Sequence, residues 1–308
     1  MKPCIGRSEG SNCVWDRKLC VTCFSDADGI TKIRLQTNNM PDHCPGNSLV
    51  KPQNFDYEVI FNAKQNSGTL VNEFTTQNDL DNEVCPIHHD FTTNSLRMIE
   101  HGTIESTRSL AFAINGVAFQ SANQRSQDPV KPMDETNEQP LDICLGHNQR
   151  NSDSGMYHYH DFSPCLNENF LAGKKMEECI NNAECEKDTV AWALSGYDKA
   201  PWNRKKVIGL AKDGHVLYGP YDDSGSLWQS ADVDACNGVW SDDQEDFFYV
   251  ATQWHPYVSG CQGPANSPHK EFEIYPQCSL NGIDKYYDAD AAPAPTPLPT
   301  PLPTPLPT

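Results

Sequence analysis

Two histidines separated by a single residue give the chain its clearest chemical signal. They lie in the segment GMYHYHD, residues 155–161, which has the composition of a short β-strand. Because residues i and i+2 share one face of a strand, His158 and His160 would lie about 6–7 Å apart on one side. Two imidazoles so placed can provide half of a Zn or Cu site, and His147 is a candidate third ligand. The alternative is that these histidines are buried residues that make ordinary hydrogen bonds.

Carboxylates near the histidines indicate how a metal site could be supported. Asp142 and Asp161 could orient an imidazole, as outer carboxylates do in many metal sites. The sequence lacks an H-E-x-x-H motif, a G-x-S-x-G turn, a phosphate loop and a dinucleotide fingerprint. A non-enzymatic protein is therefore the expectation. The alternative is a metal-dependent hydrolase in which the same histidines hold a metal ion with an activated water.

The charge balance restricts the partners. The 308 residues include 23 Lys and Arg against 42 Asp and Glu, a formal net charge of −19. Such a surface would repel phosphate, so we expect no binding to nucleic acid. No apolar run approaches the roughly 18 residues that a membrane helix needs, so we expect no membrane insertion either.

Thirteen cysteines are spread over the chain, which favours a disulfide framework over a single redox centre. Disulfides persist in oxidising compartments, so we expect an extracellular protein, secreted or on the cell surface. No apolar signal-peptide region follows Met1, and the alternative is a cytosolic protein whose cysteines bind metal. Residues 1–29 form a Cys-rich segment in which Cys20 and Cys23 fit disulfides better than zinc. An odd number of cysteines leaves at least one without a partner in its own chain.

Two predicted hairpins indicate a mainly β protein. Apolar runs flank Asn115-Gly116 in residues 109–119 and Asp213-Gly214 in residues 207–218, and both dipeptides are typical of tight hairpin turns. A helix is predicted only near residues 173–186, so the helix content should be small. We therefore expect one large, disulfide-stapled, β-sandwich-like domain.

The hairpins belong to a larger internal repeat. Each is followed by a D-x-C-x-G segment, and each block has a tyrosine fifteen residues beyond that aspartate and ends with a cysteine. The corresponding residues are Asp142, Cys144, Tyr157 and Cys165 in the first copy and Asp234, Cys236, Tyr249 and Cys261 in the second. Copies at about residues 105–165 and 205–263 would share one core as pseudo-symmetric halves. We predict the disulfides Cys144–Cys165 and Cys236–Cys261.

The C-terminal residues 290–308 repeat a PLPT unit. Proline fixes φ and removes the amide donor, so this segment should be a polyproline II spacer outside the folded body. Its candidate O-glycosylation sites are Thr296, Thr300, Thr304 and Thr308. The alternative is an unmodified flexible tail.

Several segments together resemble the YHYH-domain family, whose signature stands here at residues 157–160. Further segments similar to its motifs are residues 38–43, 113–117, 142–147, 209–214, 218–220, 234–238 and 255–261. The resemblance covers roughly residues 30–263 and implies a β domain over residues 30–278. It also adds His43 to the candidate metal ligands. The family brings no established activity with it, and its members resemble secreted or surface-associated proteins.

One difference from the family concerns the second copy. The family has Tyr-His where this chain has Tyr249-Val250, and an aromatic residue where this chain has His255. The resemblance therefore implies that a metal site would be confined to the first copy and that the second copy is structural.

These features together predict a secreted or cell-surface module, structural or adhesive, carried on an O-glycosylated Pro/Thr stalk. Its candidate cofactor is Cu or Zn, bound through the predicted strand that carries His158 and His160, called here the histidine strand. Its expected partners are extracellular matrix, glycans or further copies of the same chain.

Overall fold

The computed structural model describes the histidine strand, both predicted hairpins and the helical segment between them. The described residues are 4–5, 14–46, 50–62, 109–120, 130, 141–148, 155–229, 232–233, 237–241, 246–254 and 257–259. The predicted bond between Cys236 and Cys261 lies outside these residues, and so does the stalk at 290–308 with its four threonines.

Three antiparallel strands form the smaller of two facing sheets. Two short strands, β1 (Cys4–Ile5) and β2 (Val14–Trp15), pair separately and precede it; the sheet itself consists of β3 (Leu19–Ser25), β4 (Thr31–Thr37) and β5 (Phe55–Ile60) in that order. Its outer face is polar, and Arg34 donates to both oxygens of the Asp56 carboxylate at 2.8 and 2.7 Å. Its inner face carries Leu35 and packs on the larger sheet.

Eight short strands form the larger sheet. Their bounds are β6 (Ser109–Ala113), β7 (Ala118–Gln120), β8 (Gly146–Asn148), β9 (Tyr157–Tyr159), β10 (Val207–Ala211), β11 (Val216–Tyr218), β12 (Gly238–Ser241) and β13 (Asp246–Val250). Their spatial order is β12-β13-β11-β10-β6-β7-β9-β8. The hairpins β6–β7 and β10–β11 turn at Gly116 and Gly214, whose φ values of +87° and +91° suit glycine. Both hairpin predictions are confirmed.

The strand order shows the internal duplication directly. Reading outward from the central β6–β10 pair, each half has a hairpin, then a strand parallel to the second hairpin strand, then an antiparallel edge strand. The central pair is itself antiparallel and places Gly209 opposite Ala113, as a two-fold relation between the halves requires.

One residue correspondence within the repeat differs from the prediction. On β9, Tyr159 pairs with Gly146, whereas on β13 the residue that pairs with Gly238 is Tyr249. The structural equivalent of Tyr249 is therefore Tyr159, and not Tyr157 as equal spacing from the aspartates suggests. The reason is the length of the connection: the paired positions are thirteen positions apart in the first copy and eleven positions apart in the second.

Apolar residues cover both faces of the larger sheet. Between the two sheets, the Phe112 ring lies 5.1 Å from the rings of both Phe55 and Tyr57, measured between centroids. The opposite face carries the largest buried cluster, in which Tyr159 of β9 and Trp192 of the helical segment take part. The larger sheet is thus the middle layer of a mainly β fold.

The helical segment begins later than predicted. The α-helices of the described residues are α1 (Ala183–Lys187) and α2 (Thr189–Leu194). The side chains of Asn182 and Asp188 accept backbone N–H groups at the two starts, so these caps fix where each helix begins. Residues 177–179 instead pair with residues 141–143 through backbone hydrogen bonds of 3.1 and 2.8 Å. The predicted helix over 173–186 is therefore wrong for most of its length.

Gly209→Ala should destabilise the central strand pair. A Cβ atom at this position would lie 2.7 Å from the carbonyl oxygen of Phe112 on β6, and backbone cannot shift cheaply. We expect the free energy of unfolding in urea to fall by about 1–3 kcal/mol. Gly219→Ala is the control, because its new Cβ would meet its nearest atoms at 3.5 Å. Equal losses in both variants would contradict a close central pair.

Candidate metal centre

Strand β9 separates the signature residues by face. His158 and His160 lie on one side, where their Nε2 atoms are 3.0 Å apart. Tyr157 and Tyr159 lie on the other side and belong to the largest buried cluster. The period-two alternation expected from the sequence is what the structure has.

His147 reaches the same face from the neighbouring strand. On β8 it pairs directly with His158 across the ladder, so the two side chains project in the same direction. Its Nε2 atom lies 2.9 Å from that of His160, and its ring centroid lies 4.5 Å from that of His158. The candidate ligand atoms of the three residues all lie within 4.8 Å of one another. Three imidazoles thus converge on one point.

The hydrogen bonds of the three rings favour a cation at this point. The side chains of His147, His158 and His160 are 3%, 2% and 2% exposed, so water does not solvate them freely. His158 Nδ1 lies 3.1 Å from the carbonyl oxygen of Met156. A carbonyl only accepts, so this nitrogen carries the proton and the Nε2 atom presents its lone pair to His160. A single metal ion accepts three such lone pairs, whereas one proton on Nε2 of His160 serves only one of its two contacts.

The spacing of the nitrogens fits a first-row metal. Zn–N bonds of about 2.0–2.1 Å in a tetrahedral site place ligand nitrogens about 3.3–3.4 Å apart. The Nε2 separations of 2.9 and 3.0 Å require only a small outward shift of the rings. Imidazole nitrogen suits Zn and Cu, the two metals expected from the sequence.

A disulfide encloses all three histidines. Cys144 and Cys165 are bonded across a separation of 21 residues, which is the pairing that the sequence predicts. The hydroxyl of Ser163 donates to the carbonyl of Cys144 at 2.6 Å beside this bond. The segment that carries the ligands is therefore closed at both ends independently of metal.

Asp142 supports the site from the opposite face. Its carboxylate accepts the Tyr157 hydroxyl at 2.7 Å, and it also accepts the backbone N–H groups of Cys144 and Gly146 at 2.9 and 3.2 Å. Burial raises the pKa of this carboxyl, while the nearby His43 and the donated hydrogen bonds oppose that rise. The carboxylate thus ties the turn before His147 to β9, and the hydrogen bonds described for it come from backbone N–H groups and from Tyr157.

Asp161 serves the turn that follows β9. One of its oxygens accepts the backbone N–H of Phe162 at 2.6 Å, and the side chain is fully buried. Burial raises the pKa of Tyr197 well above its usual range, and the Asp161 charge adds to that effect.

His43 lies against the face of β9 that carries Tyr157 and Tyr159, called here the tyrosine face. It is not brought to the other three histidines. Its Nε2 atom is 3.2 Å from the Tyr157 oxygen, and its ring stacks with that of Tyr159 at 6.4 Å. Its ligand atoms also lie near the sulfurs of Cys144 and Cys165, but those sulfurs are bonded to each other and cannot ligate a metal. The structure therefore separates His43 from the other three candidate ligands, because its segment docks on the face of β9 opposite to His158 and His160.

Two asparagines connect other signature segments to the tyrosine face. Asn39 donates to the Tyr157 carbonyl at 2.6 Å and accepts the Ala118 N–H at 2.7 Å, which joins the chain before β5 to β7 and β9. Asn115 donates to the Tyr159 hydroxyl at 3.0 Å. Sequence reasoning did not single out Asn39, although it stands in the 38–43 segment that resembles the family.

One of the comparisons with known proteins covers the part of the chain that carries this site. The family model described as YHYH protein matches residues 88–231, in agreement with the resemblance found in the sequence. The match contains the three histidines, the Cys144–Cys165 bond and both hairpins. No curated protein matches the chain, and no solved structure matches it.

Tyr157→Phe should weaken metal binding as well as stability. It removes the hydroxyl that Asp142 accepts and leaves a buried carboxylate with one donor fewer, which costs about 1–3 kcal/mol in unfolding free energy. Because that carboxylate holds the turn before His147, the metal dissociation constant should rise, as measured by titration with a competing chelator.

Tyr249→Phe is the matched control for this test. It also removes a tyrosine hydroxyl that donates to a carboxylate, that of Asp213 at 2.6 Å, but in the other half of the sheet. Equal metal affinity in the two variants would contradict the role given to the Tyr157–Asp142 hydrogen bond.

Proposed function

We propose that the protein binds one zinc or copper ion through His147, His158 and His160. The observation that carries the proposal is the convergence of three buried imidazoles whose Nε2 atoms lie 2.9 and 3.0 Å apart in two of the three pairs. Without a cation, the facing ring nitrogens would have to share protons at these contacts. A bound metal ion instead accepts a lone pair from each ring.

We place this metal-binding protein outside the cell. Its support is the disulfide chemistry: Cys144–Cys165 and Cys179–Cys185 are bonded, and Cys44 is disulfide-bonded as well. Such bonds persist in oxidising compartments. Among the described residues, no helix has both the length and the apolar character needed to cross a bilayer. The Pro/Thr repeat then serves as an O-glycosylated stalk that presents a structural or adhesive module.

In this function the metal ion joins two strands at the edge of the larger sheet. β8 is the edge strand in the described sheet and has only three residues. A short edge strand gains little from its own ladder, and a cation shared between β8 and β9 adds a crosslink beside the disulfide. The site thereby stabilises the half of the molecule that carries it.

A metal-dependent hydrolase is the second candidate. It is favoured by the number of protein ligands, because three histidines leave a fourth coordination position, as in catalytic zinc sites. The burial of all three ligands favours the structural role instead, since a substrate must reach the metal.

The double variant His158→Ala plus His160→Ala tests the proposal. Wild-type protein purified in the presence of zinc or copper should retain about one equivalent of metal, measured by mass spectrometry of the elements, and the double variant should retain none. Full metal content in the folded double variant would refute the site. Chelator-sensitive ester hydrolysis by the wild type, absent from the variant, would select the hydrolase.

His43→Gln is the matched control. It removes another fully buried imidazole that contacts the same strand from the tyrosine face. It should keep the metal, because the ligand set lies on the opposite face of β9.

Metal binding should weaken as the pH falls. Only neutral imidazole can ligate, and free imidazole side chains take up a proton near pH 6.5. Bound metal favours the neutral form, so its stabilisation is present above about pH 6.5 and is lost as the pH falls further. The metal-induced rise in melting temperature should therefore be large at pH 7.5 and small at pH 5. An equal rise at both values would argue against histidine ligation.

A further inference from the structure

The duplicated sheet allows the metal centre to be mapped onto the second half. Tyr159 and Tyr249 pair with Phe119 and Leu217, the middle residues of the second hairpin strands β7 and β11. The same two tyrosines pair with the first residues of the edge strands β8 and β12. Two independent registers therefore agree on one residue correspondence between β9 and β13.

This correspondence gives each of the three histidines an equivalent position in the second half of the sheet. The three pairs of equivalent positions are His147 and Val239, His158 and Phe248, and His160 and Val250. Val239 faces Phe248 across β12–β13 as His147 faces His158 across β8–β9. All three ligand positions are thus present in the second half, and all three are apolar.

The side chains at these positions form a compact cluster with a cation beside it. Phe248 and Val250 are 2% and 0% exposed and pack with Trp254, while the half-buried Trp228 lies against the cluster. The Lys205 ammonium lies 3.9 Å from the centre of the Phe248 ring, within the range of a cation–π interaction. A fixed positive charge therefore contacts the residue that stands in place of His158.

We infer that the protein is a one-metal molecule built on a two-site scaffold. The face of β12 and β13 at Val239, Phe248 and Val250 is a second ligand position of the duplicated fold. Apolar packing and the Lys205 ammonium there replace the ion that the first half holds. The nature of that ion, a divalent transition metal, rests on the proposed function, whereas the equivalence of the two positions rests on strand register alone.

Because of this replacement, the stability of the first half should depend on bound metal and that of the second half should not. Three buried imidazoles bring their Nε2 atoms within 2.9 and 3.0 Å of one another in two pairs, and a cation shared between the rings stabilises these contacts. Phe and Val at the same positions need no polar partner and pack without any ligand. Removal of metal should therefore loosen β8–β9 and leave β12–β13 intact.

Exchanging the residue sets between the halves tests the inference in both directions. In the second half, V239H, F248H and V250H are combined with K205Q, which removes a charge that would repel the metal. Bound zinc, measured by equilibrium dialysis of the full chain, should rise from one to two equivalents. The same triple variant with Lys205 retained should bind its second zinc about tenfold or more weakly.

The reverse exchange covers the case in which the first variant fails to fold. H147V, H158F and H160V place the apolar set in the first half, with the triple alanine variant as the matched control. The apolar variant should bind no metal and should melt in chelator at least as high as the wild type in chelator. The alanine variant should melt several degrees lower, because it leaves cavities.

The outcomes distinguish this inference from the proposed function. A wild type without metal and a second-half variant with one equivalent would refute the proposed function and support the equivalence. A folded second-half variant that gains no metal would overturn the inference. If that variant does not fold, an apolar first-half variant that melts as low as the alanine control in chelator would overturn it instead.

Discussion

The alternation of side chains along β9 is the constraint on which the site depends. Its tyrosines point into the core cluster, so its histidines must point to the other face. A slip of one residue in the pairing with β7 or β8 would move the imidazoles into the largest buried cluster and the tyrosines out of it. The hydrogen bonds of Tyr157 and Tyr159 therefore fix the register that makes the metal site possible.

A second constraint fixes the two strands relative to each other before metal arrives. The Asp142 carboxylate holds the turn that leads into β8, and through Tyr157 it also holds β9. The Cys144–Cys165 bond closes the same segment from outside. Ligands held in this way lose little conformational freedom on binding, so more of the metal–nitrogen bond energy appears as affinity.

Local features of this protein could be predicted from sequence, whereas correspondences across the fold could not. The two hairpins and the shared face of His158 and His160 follow from turn chemistry and a period of two, which act over a few residues. The placement of His43 depends on where its segment docks against a strand more than a hundred residues away. The spacing of residues within a short segment cannot predict such a contact. The equivalence of Tyr249 and Tyr159 could not be predicted from equal spacing, because the connection between the edge strand and its neighbour is two residues shorter in the second copy. The helix was predicted too early because residues 177–179 pair with the distant residues 141–143, so the two helices begin only after their caps at Asn182 and Asp188.

The duplication also explains why one half can lose its ligands while the sheet persists. Pairing along β13 involves backbone groups and the core-facing Tyr249, which keeps a hydroxyl bond to the hairpin turn at Asp213. The ligand positions face the other way, so changing them leaves the strand register and the largest buried cluster untouched. An apolar set at those positions removes the need for a cation, and Lys205 then covers Phe248 with a charge that discourages one. Opposite faces of equivalent strands are therefore under separate constraints: the tyrosine face maintains the fold in both halves, and the other face is free to differ.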